Sequence, residues 1–558
     1  MPLALELCAA QVDLLAPAQI LVQLQTQRLD LLIDGAHDLP AHQRTLRRAI
    51  AHSDHLLTAE ERILLRSLGV FVGGCDLAAV TAVVAADRVT QPLPSLLHAL
   101  IGKNLLRSEA APSGGRRFLL LAMIRAYALE QQRLHGVEAL LHERHACYFL
   151  NLAERTAQVI DDGDKKAGLD QLAEELDNLR AAFRHLLATD AVGALRLATA
   201  LREFWHLRDY YTEGRTWLAQ ALAQTADGAT KTVLTLRAWA MLSAAQLASH
   251  QGDGNPAQEL GEASIALFRQ VEEQTGLAEA LREAGWIAHQ YAANTQAIQR
   301  FEESLHHFRR LKLTSKVADV LRALAHMHLY ESPGHERVRH YLAECVALHR
   351  TLNDPNSMAQ ALLTWAFIED LAGHYEQAAT LAGEGYLLTA QLGNKQQCAR
   401  ALAMRGEANL HCGLWELAQE DLQKAHQLFT EIGYAEGRML TLHTLGTIER
   451  QRGNGAAAGD YYRHSLQLCR VEQPNERMIP RCLVGLGGVA LLEGAPARAA
   501  VLLSAAQQRF DQVPPFLAPI DQREVETLIA DTRQQLGEEA FERAWIAGQT
   551  LSLEQMLV

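Results

Sequence analysis

Five glycines constrain this chain more than any other feature. Gly252, Gly373, Gly413, Gly453 and Gly494 each interrupt a long helical pattern, and the last four stand 40, 40 and 41 residues apart. The 121-residue gap before them holds three more units, with breaks near Asn294 and Pro333-Gly334. About seven units of 40 residues follow, and a period of this size marks a stack of helix pairs. One pair cannot bury its own apolar face, so its neighbours complete the core. The units share more than a glycine. Gly373-His374-Tyr375 with Ala378 matches Gly413-Leu414-Trp415 with Ala418. The second helix of a unit carries an apolar stripe, as in Ser264 to Phe268, Ser304 to Phe308 and Ala425 to Phe429. A second break follows, at Gly276, Asp354-Pro355, Gly393, Gly433 or Pro474. Small or aromatic residues recur midway along the first helix: Gly285-Trp286, Trp365-Ala366, Gly406, Gly446 and Gly487. There the two backbones approach closely.

Such a stack resembles the tetratricopeptide repeat in a variety of about 40 residues, and its first helices line the concave face of the solenoid. Arg282, Arg322, His326, Arg405 and His443 are the groove candidates, for a peptide, a partner domain or a small ligand. The competing reading of each is a solvated polar face.

Before residue 230 the pattern changes. Arg44 to Leu57 reads as an amphipathic helix. Thr58 with Glu60 and Glu61 caps a second helix reaching about Val72, which Gly73-Gly74 stops. Asp76 caps a short helix to Ala85, and Pro94 starts another ending near Lys103-Asn104. Leu105 to Glu109 and Arg116 to Leu120 read as two short strands. Helices followed by a two-stranded ribbon describe a winged helix. Its reading helix, Ser95 to Lys103, is mostly apolar and offers few groups for base edges. The chain holds 52 Lys and Arg against 65 Asp and Glu, a formal net charge of −13, which excludes a protein that coats nucleic acid through a basic excess. Packing of this domain against a neighbour is therefore expected, and DNA contact by the chain alone is not. The eight cysteines form no CxxC and no apolar run reaches membrane-spanning length, so a reduced cytoplasmic compartment is expected.

Several segments carry a family resemblance. Met1-Pro2-Leu3-Ala4-Leu5-Glu6-Leu7 with Ala9-Ala10 resembles the G-x-P-L-A-L-E-L-A-A segment of STAND-class signal-transduction ATPases, P-loop regulators related to NB-ARC proteins and often fused to LuxR-type DNA-binding domains. Leu39 to Arg47 resembles their L-P-x-R-Q-R-T-L-R linker, Leu68 to Gly74 their L-x-V-F-x-G-G, and Arg117 to Ala128 their R-F-x-L-L-x-x-I-R-x-Y-A. Glu175 to Ala182 resembles E-x-D-N-L-R-A-A, and Leu536 to Gln555 fits the family's end. The resemblance implies a lid remnant at 1–43, a winged-helix-like domain at 44–133, a helical linker at 134–229, repeats at 230–512 and capping helices at 513–558. It also implies that Pro2 is the nucleotide-contacting proline. Yet the P-loop GxxxxGK[ST] and the Mg²⁺-binding acidic strand of the family are missing here. The chain is expected to be non-catalytic and to hold no cofactor, ATP and Mg²⁺ entering only with an NTPase domain supplied separately. The chain starts one residue after the motif glycine, as a late start codon, a split gene or a truncated remnant would give.

Other constellations read as packing. His142 and His145 share a helical face near Cys147 and could suggest a metal site. His326 and His328 splay, Cys345 and His349 stand i,i+4, and Arg309-Arg310-Leu311-Lys312 ends a helix. No metal site or catalytic set is assigned. The expected fold is all-α: a winged helix followed by a tetratricopeptide-repeat solenoid. The expected function is the sensor half of a STAND-type transcriptional regulator, binding a protein partner, a peptide, a small inducer or a separate NTPase chain, with no membrane contact. The alternative is a regulator that touches DNA through its winged helix.

Overall fold

The computed structural model describes residues 46–84, 89–111, 114–161, 165–226, 230–291, 293–329, 336–471, 475, 477–512 and 517–550. Pro2 and the 1–43 segment, and the breaks at Pro333-Gly334 and Pro474, lie outside them. Two compact units divide the chain, Met1–Ile287 and Ala288–Val558.

The first unit opens with a winged helix: α1 (Leu46–His55), α2 (Ala59–Leu68), α3 (Leu77–Val83), α4 (Leu93–Gly102), β1 (Arg107–Ala110), β2 (Arg116–Leu119) and α5 (Ala122–Leu134). Thr58 and Glu61 form the full capping box expected of them. Asp76 caps α3 through the Ala79 amide. The ribbon is antiparallel, with Arg107 opposite Leu119. Cys75 adds a bridge to Phe118 on the other edge of β2. α2 ends four residues short of Val72. Gly69 lies under α5 so closely that an added Cβ would stand 2.9 Å from that of Ala128.

The helices α6 (Glu138–Asp161), α7 (Lys165–Glu174), α8 (Leu176–Thr189), α9 (Ala191–Ala200), α10 (Arg202–Leu207) and α11 (Tyr211–Gln224) follow. An aromatic cluster centres them: Phe183 stacks on Trp217 at 4.1 Å, and Trp205 meets Trp217 edge-on at 5.1 Å. One apolar core runs from Ile50 to Leu247. The repeat pattern begins with α12 (Lys231–His250) and α13 (Gly254–Val271), and α14 (Gln274–Gln290) reaches the division between the units. Here Gly276 is not a break. The chain turns at Glu272 (φ 56°), and Gly276 sits in the first turn of α14, where a Cβ would collide with the Phe268 ring.

The second unit contains α15 (Asn294–Leu311), α16 (Thr314–Leu329), α17 (Glu336–Thr351), α18 (Pro355–Leu371), α19 (Tyr375–Gln391), α20 (Lys395–His411), α21 (Trp415–Glu431), α22 (Ala435–Gln451), α23 (Gly455–Val471), α24 (Met478–Leu492) and α25 (Pro496–Gln512). From α16 onward these are helix pairs. Within a pair the turn holds a left-handed residue such as Gly413 (φ 77°), a conformation only glycine adopts cheaply. The next residues start the second helix, so Trp415 and Ala418 pack back on the first. The crossing is as tight as the small residues suggest. A Cβ on Gly406 would lie 2.8 Å from Leu422, and one on Gly446 3.0 Å from the Tyr462 ring. The same contact recurs between backbone and side chain: Cys345 donates to the Ala318 carbonyl and Ser465 to the Met439 carbonyl, as Ser264 does to Ala238 in the first unit. Two further helices, α26 (Pro519–Leu536) and α27 (Glu538–Thr550), close the second unit.

Gly406→Val should therefore cost about 1–3 kcal/mol through overpacking, read as a lowered urea midpoint with the secondary structure of the folded state retained.

Candidate binding groove in the repeat array

The inner face of the second unit is formed by the first helix of each pair, and α26 lies on it. Pro519 packs 3.7 Å from the position a Cβ on Gly373 would take. The Ile520 amide donates to the Tyr375 hydroxyl at 3.2 Å. His411, on α20, stands between two carboxylates. Its Nδ1 is 2.8 Å from Asp370 and its Nε2 3.4 Å from Asp521 of α26. Burial opposes its charge, but the bonds and fields of these carboxylates outweigh it and lift the imidazole to about 10. Burial likewise resists ionisation of Asp521, yet His411 and Arg481 hold its carboxyl below the ordinary range. Arg481 on α24 donates to Glu407 at 2.9 Å. Arg450 on α22 donates to Glu524 of α26 and also reaches the Tyr462 hydroxyl, which pairs with Thr447 at 3.0 Å.

Glu407, His411 and Asp521 offer ligand atoms within 4.8 Å of one another, the one set of this kind among the described residues. The positive charge between these groups is already supplied by the His411 imidazolium and the Arg481 guanidinium, so the cluster reads as an ion-pair latch.

The five sequence candidates fall into different surroundings. Arg282, in the first unit, meets Glu279 at 3.0 Å. In the second unit, Arg322 is 41% exposed and stands 3.9 Å from Asp319. His326 meets the His289 ring edge-on at 5.5 Å. Arg405 is committed to Asp421 of the same pair through two bonds of 2.8 and 2.6 Å, and lies over Tyr386. His443 lines a cavity of about 40 Å³ together with Arg481, Asp521 and Glu524, and burial pushes its imidazole down to about 3. His411, Arg450 and Arg481 were not among the candidates. Their only sequence signal is their place on first helices, and the acids of α26 that His411 and Arg450 meet lie on a helix outside the repeat period.

The other constellations resolve as packing. His145 pairs with Asn178 at 3.2 Å, and His142 stacks on His185. Cys345 is buried, which raises its thiol to about 12, the reverse of a nucleophile's shift. His326 and His328 turn to different neighbours, His328 stacking on Tyr341. Arg309 pairs with Glu344 at 2.7 Å.

In the first unit the winged helix is clamped to the helices after it. Asn178 accepts from the Val72 amide at 2.8 Å and donates to the Gly74 carbonyl at 2.9 Å. Arg117 of β2 donates to the Gly73 carbonyl and to Glu175. The resembling segments Leu68 to Gly74 and Glu175 to Ala182 are thus the two halves of one joint. A crevice of about 1130 Å³ opens beside it, lined by Leu77, Phe118, Tyr148 and Leu152 with Arg116 and Asp170. On α4, Leu96, Leu97 and Leu100 are buried, while Pro94, Ser95 and His98 are exposed.

These features define an all-α chain with a winged helix ahead of tetratricopeptide repeats. A family model for a winged helix-turn-helix domain matches residues 57–133. A protein of Mycobacterium tuberculosis (strain H37Rv), described by name as an HTH-type transcriptional regulator, is 34% identical over 295 residues, covering 51% of this chain and 32% of its own length. A Mycobacterium bovis protein with the same description matches equally. The chain spans about a third of the length of these curated relatives. Among solved structures, a STAND protein with a tetratricopeptide repeat sensor from Pyrococcus horikoshii matches at TM-score 0.55 and 14% identity, covering 91% of this chain and 71% of that one. That likeness is one of fold. Among the described residues no helix is long and apolar enough to cross a membrane.

Two outcomes test the site. The His411 imidazole rises from an ordinary value near 6.5 to about 10 on folding, so its stabilisation is whole below pH 6.5 and is lost as the pH climbs through about 10. The gap in urea stability between wild type and His411→Gln should be about 3 kcal/mol at pH 6 and close above pH 10. Asn178→Ala leaves the half-buried Val72 amide without its acceptor and the Gly74 carbonyl with Arg117 alone, and should cost about 1–3 kcal/mol, read by thermal unfolding.

Proposed function

We propose that this chain is the non-catalytic sensing part of a STAND-type transcriptional regulator. The repeat array takes up a partner protein, a peptide or a small inducer, and the winged helix passes the event on through its clamp. Nucleotide chemistry, with ATP and Mg²⁺, belongs to an NTPase domain that these residues do not form, and the setting is the cytoplasm. The observation that carries this reading is the joint at Asn178 and Arg117. The base of the wing spends its hydrogen bonds on protein, where a DNA reader spends them on phosphate. The names of the mycobacterial relatives support a role in transcriptional regulation. On the array of the second unit, Arg322 and His326 are contact residues for the ligand, and Arg282 serves the repeats of the first unit by themselves. Arg405 and His443 join them once Asp421 or α26 gives way.

The second reading, direct DNA contact, is favoured by the winged helix-turn-helix match and by exposed Arg107 and Arg116 on the ribbon. Two measurements separate the readings. Under the first, a mobility shift with duplex DNA at 50 mM salt shows no complex at about micromolar protein, the range of non-specific binders. Affinity capture from the native host then recovers proteins that Arg322→Glu loses and Leu387→Glu, on a second helix, keeps. A salt-sensitive shift abolished by Arg107→Ala with Arg116→Ala, together with identical capture by all chains, overturns the first reading.

A further inference from the structure

The contact that α26 makes with the array is half apolar and half ionic: Val525, Leu528 and Ile529 pack against the core of the last pairs, while two acids beside them meet cations. Asp521 and Glu524 stand three residues apart on one helical face, and each meets a cation from a different array helix, His411 on α20 and Arg450 on α22. Arg481 on α24 adds its field at Asp521. On the array side these three cations face the carboxylates Asp370 and Glu407, so this patch sets three cations against two anions and the acids of α26 complement it. The opposite face of α26, with Gln522, Arg523, Glu526 and Thr527, is exposed. The fit is also incomplete. His443 Nδ1 is buried at this contact with no hydrogen bond, an unfavourable state for a buried polar atom, and a 40 Å³ cavity remains beside it. A surface of this kind, charged, one-sided and imperfectly filled, suits a bound ligand better than a permanent layer of core.

We propose that the inner face of the second unit is a receptor for an acidic helix, that Pro519–Leu536 is its resident occupant, and that a partner protein's helix bearing two carboxylates three residues apart takes the same seat when the resident leaves. This rests on the reading of the array as a partner-binding surface and names the chemistry of the partner. A displacing helix that also offers a polar group to His443 gains a bond that the resident does not make. The carboxylates of the partner inherit His411 and Arg450, and the start of its helix takes the Tyr375 hydroxyl.

The test uses the full chain and a fluorescent synthetic peptide of residues 517–536. The resident is weakened in one chain by Asp521→Asn with Glu524→Gln. Because a competent state populated only fractionally lowers apparent affinity by that fraction, the native peptide should bind the weakened chain at least about ten-fold more tightly than it binds wild type. A peptide carrying the same two substitutions should bind neither. Equal binding of the native peptide to both folded chains overturns the proposal. Should the weakened chain fail to fold, hydrogen exchange on wild type decides. Amides of 523–532 exchanging at least about a hundred-fold faster than those in the middle of α25 support a detachable occupant, and equal protection overturns it. The peptide needs no natural partner. Peptide exchange with identical captures by all chains removes the sensing role and leaves the seat, and the reverse removes the seat alone.

Discussion

Two helices can cross closely only where one of them gives up a side chain, and this array is organised around such crossings. Gly406 admits Leu422, Gly446 and Gly485 admit Tyr462, and Gly487 admits Leu503. Each crossing fixes the angle at which the next pair is laid down, and so fixes which residues of the first helices look inward. The serines and the cysteine that donate to a carbonyl 26 or 27 residues earlier pin the same crossing by a hydrogen bond. The positions of His411, Arg450 and Arg481 are set by this spacing.

The winged helix follows a different logic. Its leucines of α2 and α4, with Val70 and Phe71, belong to the same continuous core as the helices after it, and at the base of the wing one amide side chain centres the polar part of the attachment. Asn178 answers an N–H and a carbonyl of the turn that follows α2, and Glu175 secures Arg117 beside it. Gly73 and Gly74, both left-handed, bring that turn within reach. At Gly74 a Cβ would stand 2.8 Å from the Phe118 carbonyl. The domain is thus held at the base of its wing.

The repeats were legible because several successive units restate the same requirement. A glycine at the turn and a small residue at the crossing repeat in phase, with an aromatic after the turn at Tyr375 and Trp415, and the structure uses each as the pattern suggests. Gly276 misled because glycine serves two purposes here, turning the chain at Gly413 and clearing space for a ring at Phe268. The pairing of Arg405 with Asp421 lies within one unit and could have been found by following its phase. The seat of α26 could not. Asp370 and Asp521 are 151 residues apart, Glu524 and Arg450 are 74 apart, and α26 carries none of the repeat's marks. Its acids read as ordinary helix surface until the array places cations opposite them.

That distance has a consequence for how the chain is assembled. Each helix pair finds its partners locally, next to its neighbour in the sequence, so the array can grow one pair at a time. The helix Pro519–Leu536 cannot. Its first two turns draw on Tyr375, His411, Arg450 and Arg481, which belong to four successive pairs, and no subset supplies the whole seat. Occupancy of the inner face by this helix is therefore a physical count of finished repeats: a fault in any one of the four pairs leaves the helix intact and its berth missing.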